Sequence, residues 1–476
     1  MAEQDEIIKT EVIIVGAGLS GLSAAKLLAE KKVNVTVLEA RDRVGGRTFT
    51  KKDPLYGWVD LGGAYVGPTQ NHILRLAHEM GVKTYRIFSD LDFIHFSKNK
   101  RIMYSSQWPK FPSNPTATWE LSYTMEIMDK MAEEIPPEAP WKAPRAKEWD
   151  NMTLQDFFEK QCWTEEAKEF GRCFCQANVT AEPWQISLLW FLWYIRSSCG
   201  TVRIWNVSEG AQERKFIGGS QQISEKMAER LGDSVKLNSP VCNLVQSVDS
   251  VTAQTLDGTI YEGVYVIMAI PPPLLLKIHY DPPLPPSKHQ LIQRVSMGVC
   301  IKCELFYKRP FWREKGMNGF ITCADGIECV GNVTDDCLPN SNLAALTCFV
   351  YTEKAFELLG MSREGRINSL TKSLSKILGT HEALDVVAYE DQNWVGEQYT
   401  GGCYTTTFPP GVITQFGSVL RAPFHRLIFA GTETASEWSG YMNGAVEAGE
   451  RAARECLHMM GRLKKSEIWF DFGPKL

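Results

Sequence analysis

Residues 11–48 read EVIIVGAGLSGLSAAKLLAEKKVNVTVLEARDRVGGRT, and no other stretch narrows the fold as much. Val12 to Val15 is an apolar, β-branched run of strand type. It breaks at once into Gly16-Ala17-Gly18-Leu19-Ser20-Gly21. An alanine- and leucine-rich helix is expected from about Leu19 to Glu30, and a second strand from Val33 to Leu38, with Glu39 at its end. This order of strand, glycine turn, helix, strand and acid is that of a dinucleotide site. Gly16 permits the tight turn, Gly18 lets a pyrophosphate approach the backbone, and Gly21 lets the helix pack closely on the strand. Free N–H groups and the helix dipole favour the phosphates. Glu39 lies 23 positions after Gly16, where an acid can accept a ribose hydroxyl.

A second signature follows directly, Ala40-Arg41-Asp42-Arg43-Val44-Gly45-Gly46-Arg47-Thr48. Three arginines and two further glycines beside one pyrophosphate exceed what an NAD site needs. A solvated basic loop would explain the arginines but not the Gly-Gly pair. The run resembles the second phosphate-binding motif of the FAD-dependent amine oxidases and their relatives.

Composition limits the alternatives. A chain of 476 residues, 44% hydrophobic and 11% aromatic, suits two or three domains with a large core. The net charge of −5 and the lack of a basic block argue against a nucleic-acid partner. The start, MAEQDEIIKTE, lacks the apolar stretch of a signal peptide. The most apolar run, Ile186 to Ile195, falls short of the roughly 18 residues of a membrane span. A soluble intracellular protein is the expectation. Thirteen irregularly spaced cysteines suit reduced thiols. Cys300 and Cys303 have CxxC spacing, but on the strand expected over Val299 to Phe306 they would face opposite ways, which argues against a metal or redox pair.

Further along, Gly57 to Gly67 is again glycine-rich, as where backbone approaches a flat ligand, and His72 to Met80 reads as a helix. Residues 91–214 are tryptophan-rich and read as mostly helical, with an aromatic content that suits a pocket wall. Gly218-Gly219-Ser220 returns to the first domain, with a helix near 221–231 and strands near 235, 241–248, 251–255 and 264–270. Residues 294–395 alternate strands with a helix over 363–378. A short strand over 427–430 and a helix over 444–458 close the chain. The expected fold is α/β: a Rossmann-type dinucleotide domain (1–90, 215–293 and 396–476) interleaved with an α+β substrate domain (91–214 and 294–395).

Three late segments make the resemblance specific: Gly401-Gly402-Cys403-Tyr404 with the residues to Gly411, Phe429 to Thr434, and Trp438 to Glu450. Together they are similar to the flavin-containing monoamine oxidases of animals, and the similarity runs from about Val12 to Trp469. On residue type alone Cys403 reads as a small buried hydrophobe. The resemblance makes it the thioether link to the flavin 8α-methyl. Tyr404 and Tyr441 resemble the two tyrosines that flank the substrate amine. Lys302 stands in an apolar strand, where burial without a partner is costly, and it resembles the lysine that holds a water at flavin N5. The resemblance further implies FAD contacts from Arg41, Arg47, Gly62, Val241, Trp394, Thr432, Glu433 and Met442. It places Asn178 and Gln212 in the substrate pocket. Trp205 falls where the family has an isoleucine or phenylalanine gate, and Asn332 where it has tyrosine or isoleucine, which puts substrate preference in doubt.

The implied function is FAD-dependent oxidative deamination of primary arylalkyl monoamines to aldehyde, ammonia and hydrogen peroxide. The partners would be a small amine and O2, no metal is implied, and a homodimer is left open. A polyamine or diamine oxidase on the same fold would want pocket carboxylates, for which Asp335 and Asp336 are the candidates. A flavin-bearing binding protein without turnover is a third reading. The family's hydrophobic tail anchor is not seen before Leu476. Pro474-Lys475-Leu476 approximates a peroxisomal address. Peroxisome or cytosol is therefore expected, and the mitochondrial outer membrane only if a tail has been removed.

Overall fold

The computed structural model describes residues 7–469. The tripeptide read as an address therefore lies outside the described residues.

The nucleotide half is built on a five-stranded parallel sheet. Its order is Val235–Lys236, Val35–Leu38, Val12–Val15, Tyr265–Met268 and Leu427–Phe429. Val12–Val15 and Val35–Leu38 are buried at every position. That burial explains their unbroken apolar runs, because a parallel sheet is covered on both faces. The helix Leu19–Glu30 starts where the sequence places it. It packs against the closing helix Met442–Met459, which begins two residues before the expected Gly444. A second five-stranded sheet, Ile8–Lys9, Ile260–Gly263, Val251–Thr255, Val241–Gln246 and His279–Asp281, lies against the other face of the core.

The second half is a seven-stranded sheet beside a helical block. The sheet runs in the order Ala388–Asn393, Cys300–Tyr307, Ala344–Tyr351, Asn332–Asp335, Met317–Cys323, Asp92–Ser97 and Lys100–Tyr104. Its last two strands differ from the helical reading of the segment after residue 91. Asp92–Ser97 buries Phe93, Ile94, His95 and Phe96, so both faces are covered and no polar alternation marks it as a strand. The helical block begins only at Pro115–Glu133 and ends with Thr201–Trp205. Trp149, Trp193, Phe170, Phe174 and Phe191 fill its core.

Cys300 and Cys303 take opposite faces of their strand and belong to separate apolar clusters. All thirteen thiols are free. Among the described residues no helix is long and apolar enough to cross a membrane.

Candidate active site

One cavity of about 390 Å3 runs from the glycine turn at Gly16 and Gly18 to Trp205 and Asn332. At its inner end a Cβ on Gly18 would meet no atom nearer than 3.9 Å. Such a Cβ would project into the cradle, so the cradle is shaped by backbone and leaves room for a phosphate. Gly21 does not line the cavity. A Cβ there would come within 1.9 Å of the Gly16 carbonyl oxygen, so Gly21 serves the close packing of helix on turn. The Glu39 carboxylate lines the cavity and accepts from the Ala17 N–H at 2.7 Å and the Arg41 N–H at 3.0 Å. It thereby clamps the glycine turn to the second strand.

The three arginines do not share one task. Arg41 lines the cavity, with Nε donating to Glu397 Oε2 at 3.2 Å and a second contact to the Thr400 hydroxyl. Arg47 lines it as well. Arg43 turns away: it donates to the carbonyls of Thr48 (3.1 Å) and Gly46 (3.2 Å) and covers the ring of Phe49 at 4.5 Å. A place for Arg43 beside the pyrophosphate is thus corrected, since it holds the loop's own backbone.

Glu433 lies behind the cavity wall rather than on it. It is 1% exposed and accepts from Arg47 Nη1 at 2.6 Å, from the Thr405 hydroxyl at 3.2 Å and from the Thr406 N–H at 3.3 Å. Burial alone would raise its carboxyl. The Arg47 guanidinium outweighs that and holds it below the ordinary carboxylate value. Arg47 Nη1 also donates to the Tyr404 carbonyl at 3.0 Å, so one ion pair fixes the loop that carries Cys403 and Tyr404.

Around the middle of the cavity stand Gly62, Trp394, Cys403, Tyr404, Tyr441, Met442 and Lys302, with Val241 toward the nucleotide end. Trp394 is buried and donates from Nε1 to the Leu61 carbonyl at 2.8 Å. A Cβ on Gly62 would lie 2.3 Å from the Arg47 carbonyl oxygen and 3.1 Å from the Trp394 ring, so the three segments meet only through glycine. Cys403 is buried, and its peptide bond to Tyr404 is cis. Its N–H donates to the Gly298 carbonyl at 3.0 Å and its carbonyl accepts from the Thr180 hydroxyl. Thr180 gives no signal in the sequence.

Tyr404 and Tyr441 line the same cavity from different supports. Tyr404 meets Phe349 edge-on at 6.3 Å and has its hydroxyl 3.5 Å from that of Tyr351. Tyr441 stacks on Tyr194 at 5.6 Å and meets Trp438 edge-on at 4.9 Å. Burial pushes both phenols up, so both are neutral at physiological pH. Lys302 is buried and donates to the Gly62 carbonyl at 3.2 Å, with Nζ 5.7 Å from the centroids of Tyr65 and Phe349. Burial, and next the neighbouring Lys215, lower its proton affinity.

At the outer end Asn178, Trp205, Gln212 and Asn332 all line the wall. The Trp205 indole donates to the Gln107 carbonyl at 3.0 Å and packs on Phe170 (4.9 Å), Phe174 (5.6 Å) and Trp108 (5.9 Å). Asn178 donates to the Phe174 carbonyl at 2.8 Å, and Gln212 to that of Ile204 at 3.1 Å. Asn332 reaches the Ile321 carbonyl and the Thr322 hydroxyl, each at 3.4 Å. Phe93, Tyr104, Gln107 and Phe320 complete this end. Phe93 and Tyr104 escaped the sequence reading because their hairpin did. Asp335 and Asp336 do not line the cavity. Asp335 pairs with Arg313 at 2.7 Å, and Asp336 with the fully buried Lys215 at 2.8 Å. The carboxylates that a diamine oxidase would want are thus already neutralised elsewhere.

The Glu433 geometry sets a test. A carboxyl whose folded pKa is depressed contributes stability above the unfolded value and loses it as pH falls through the folded one. Glu433→Gln should lower stability by about 3 kcal/mol at neutral pH, because Arg47 keeps its charge without a partner. The loss should shrink as pH drops below roughly 4. Denaturant midpoints measured across pH check this, and an equal deficit at all pH values would refute the assignment.

Comparison with known proteins shows the family. The profile of the family described as "Flavin containing amine oxidoreductase" matches residues 19–457. The flavin-containing amine oxidase of Oncorhynchus mykiss is 51% identical over 459 residues, covering 96% of this chain and 88% of its own. Flavin-containing amine oxidase B of Homo sapiens is 51% identical over 462 residues, covering 97% and 88%. Among solved structures, putrescine oxidase bound to putrescine superposes with a TM-score of 0.90 at 32% identity, covering 95% of this chain and 100% of that one. Cyclohexylamine oxidase from Brevibacterium oxydans gives 0.90 at 29%, with the same coverage. The chain belongs to the flavin-containing amine oxidoreductases, an enzyme family with the amine oxidase fold and a flavin cofactor.

Proposed function

We propose that this enzyme oxidises primary arylalkyl monoamines with O2, giving aldehyde, ammonia and hydrogen peroxide, and that its flavin is FAD bound covalently through Cys403. One observation supports this most: a single cavity joins a glycine-shaped phosphate cradle, a thiol, two neutral phenols and a buried lysine. Gly18, Glu39, Arg41 and Val241 line the same cavity, and the glycine turn followed by an acid at the end of the second strand is the pattern of a dinucleotide site. Gly16, Gly18, Glu39, Arg41 and Arg47 would hold its phosphates and ribose, and Gly62, Trp394 and Met442 its ring system, while Glu433 keeps Arg47 in place.

When bound, the flavin would accept a hydride, two electrons with one proton, from the amine's α-carbon; with the proton shed by the amine nitrogen these would reduce O2 to hydrogen peroxide, and water would hydrolyse the imine to aldehyde and ammonia. The protein's part is orientation and exclusion of water. Tyr404 and Tyr441 flank the amine; as neutral phenols they favour a neutral amine with a free lone pair and do not trap an ammonium by charge. Lys302, its proton affinity lowered by burial, holds a water against the ring system. The pocket carries no free carboxylate for a second ammonium, which favours monoamines over diamines.

A peroxide assay over a panel of monoamines, diamines and polyamines tests the reading. Arylalkyl monoamines should be turned over and putrescine should not. A preference for diamines would replace the proposal with the second reading, and absence of peroxide with every amine would leave a binding protein.

Two variants test particular residues. After acid precipitation the yellow colour should stay with the wild-type pellet, and Cys403→Ala should release it to the supernatant. Free flavin from the wild type would end the covalent assignment. Trp205 is braced by a hydrogen bond and three aromatic neighbours, so moving it aside means repacking. Trp205→Ile should raise kcat/KM for bulky amines by roughly tenfold more than for compact ones. An equal change for all amines would show that Trp205 is no gate.

A further inference from the structure

Cys403 and Tyr404 together carry four backbone polar groups, and all four are held from other segments. The two outer ones have separate partners. The Cys403 N–H donates to the Gly298 carbonyl at 3.0 Å, and the Tyr404 carbonyl accepts from Arg47 Nη1 at 3.0 Å. The two inner ones, the Cys403 carbonyl and the Tyr404 N–H, belong to one peptide and meet one atom. Thr180 Oγ1 donates to that carbonyl and accepts from that N–H at 3.1 Å. The Val179 carbonyl, at 2.7 Å, is a second acceptor for the same hydroxyl proton. Buried backbone groups must find partners inside the protein, and here a single side-chain hydroxyl serves the whole inner peptide.

Thr180 stands against the ordinary preference of its residue type. It follows the helix Glu165–Val179 in the left-handed region, at φ 54° and ψ 34°, and is fully buried. Glycine or asparagine is the usual choice for such a position, and a β-branched residue there is strained. The backbone does not require threonine. Its N–H donates to the Gln176 carbonyl at 2.9 Å and its carbonyl accepts from the Val299 N–H at 2.8 Å, bonds that glycine would make as well. What threonine adds is the hydroxyl, and space is kept for it. A Cβ on Gly298 would lie 2.0 Å from Thr180 Oγ1 and 2.6 Å from the Cys403 carbonyl oxygen. The Cys403 sulfur lies 3.9 Å from the Cys300 carbonyl oxygen, a contact too long to fix it, so its place follows from its backbone.

We propose that Thr180 is a positioning residue: its hydroxyl fixes the peptide between Cys403 and Tyr404 so that the Cys403 sulfur meets the flavin 8α-methyl for covalent attachment. The inference rests on the covalent-flavin reading above. In the attachment the thiol S–H and one methyl C–H break and one C–S bond forms. The two hydrogens, with two electrons, pass to the flavin ring, and O2 reoxidises it with formation of hydrogen peroxide. Thr180 exchanges no atom in this step. Its part is to keep sulfur and methyl carbon in reach, where a misplacement of about 1 Å can slow a reaction by roughly a hundredfold.

The protein produced under riboflavin limitation and then mixed with FAD tests the proposal, the covalent share of the bound flavin being followed over time by acid precipitation. Wild type and Thr180→Ser both carry the hydroxyl and should attach at the same rate. Thr180→Val and Thr180→Gly lack it and should still bind FAD but attach it slower by roughly tenfold or more. Glycine separates the two roles, because a merely structural role at a left-handed position is served at least as well by glycine. Attachment in Thr180→Gly at the wild-type rate, or in Thr180→Ser as slow as in Thr180→Gly, would overturn the proposal. A Thr180→Gly chain that no longer binds FAD would overturn it too, since Thr180 would then serve the fold. Should Thr180→Val fail to fold, the comparison of serine with glycine decides. Free flavin from the wild type at every time would instead remove the Cys403 reading, and this inference with it.

Discussion

The site hangs on one ion pair between residues almost four hundred positions apart, Arg47 and Glu433. Arg47 comes from the loop after the second strand of the parallel sheet, and Glu433 from the turn before the closing helix. The same guanidinium holds the Tyr404 carbonyl, and the same carboxylate holds Thr405 and Thr406. Three segments that share no sheet are thus placed around one cavity. A buried pair of this kind is a poor source of net stability, because desolvation offsets most of its attraction. Its value is register. With either partner removed the other keeps an uncompensated charge, so alternative packings of the 403–406 segment are disfavoured.

The same physics explains why neighbouring buried lysines shift in opposite directions. Lys215 and Asp336 meet at hydrogen-bond distance, and the carboxylate overcomes the burial that would strip the lysine of its proton. Lys302, close by, has a backbone carbonyl instead of a carboxylate, and burial prevails. The layer between the two halves of the molecule thus holds one satisfied ion pair and, beside it, a lysine whose proton affinity burial lowers.

The nucleotide half was legible because each of its signals is local. A glycine turn, a strand of unbroken apolar residues and an alanine-rich helix are fixed by backbone sterics and period, and Leu19–Glu30 lies where those signals place it. The hairpin of Asp92–Ser97 and Lys100–Tyr104 was not legible, because its first strand is buried on both faces and shows no alternation. Arg43 looked like its neighbours Arg41 and Arg47, and only the curl of the loop turns it onto carbonyls. Asp335 and Asp336 looked available for a substrate because their partners, Arg313 and Lys215, lie at a distance in sequence.

The two ends of the cavity are therefore specified by different kinds of chemistry, and they can change independently. The inner end is shaped by backbone: a Cβ at Gly21 or Gly62 would fall within 2.3 Å of a carbonyl oxygen, so almost any replacement there disturbs the cradle. The outer end is shaped by side chains from separate elements. Trp205 ends a helix, Gln107 precedes the helical block, and Asn332 opens a strand of the seven-stranded sheet. None of these positions has a positive φ or a forbidden Cβ. Substitution there alters volume and hydrogen bonding and leaves the chain path alone. Tyr404 and Tyr441 stand between the two regimes, each backed by its own aromatic partners. A change of side chain at Trp205 or Asn332 can thus reshape the outer wall without disturbing the phenols, the thiol or the lysine deeper in the cavity.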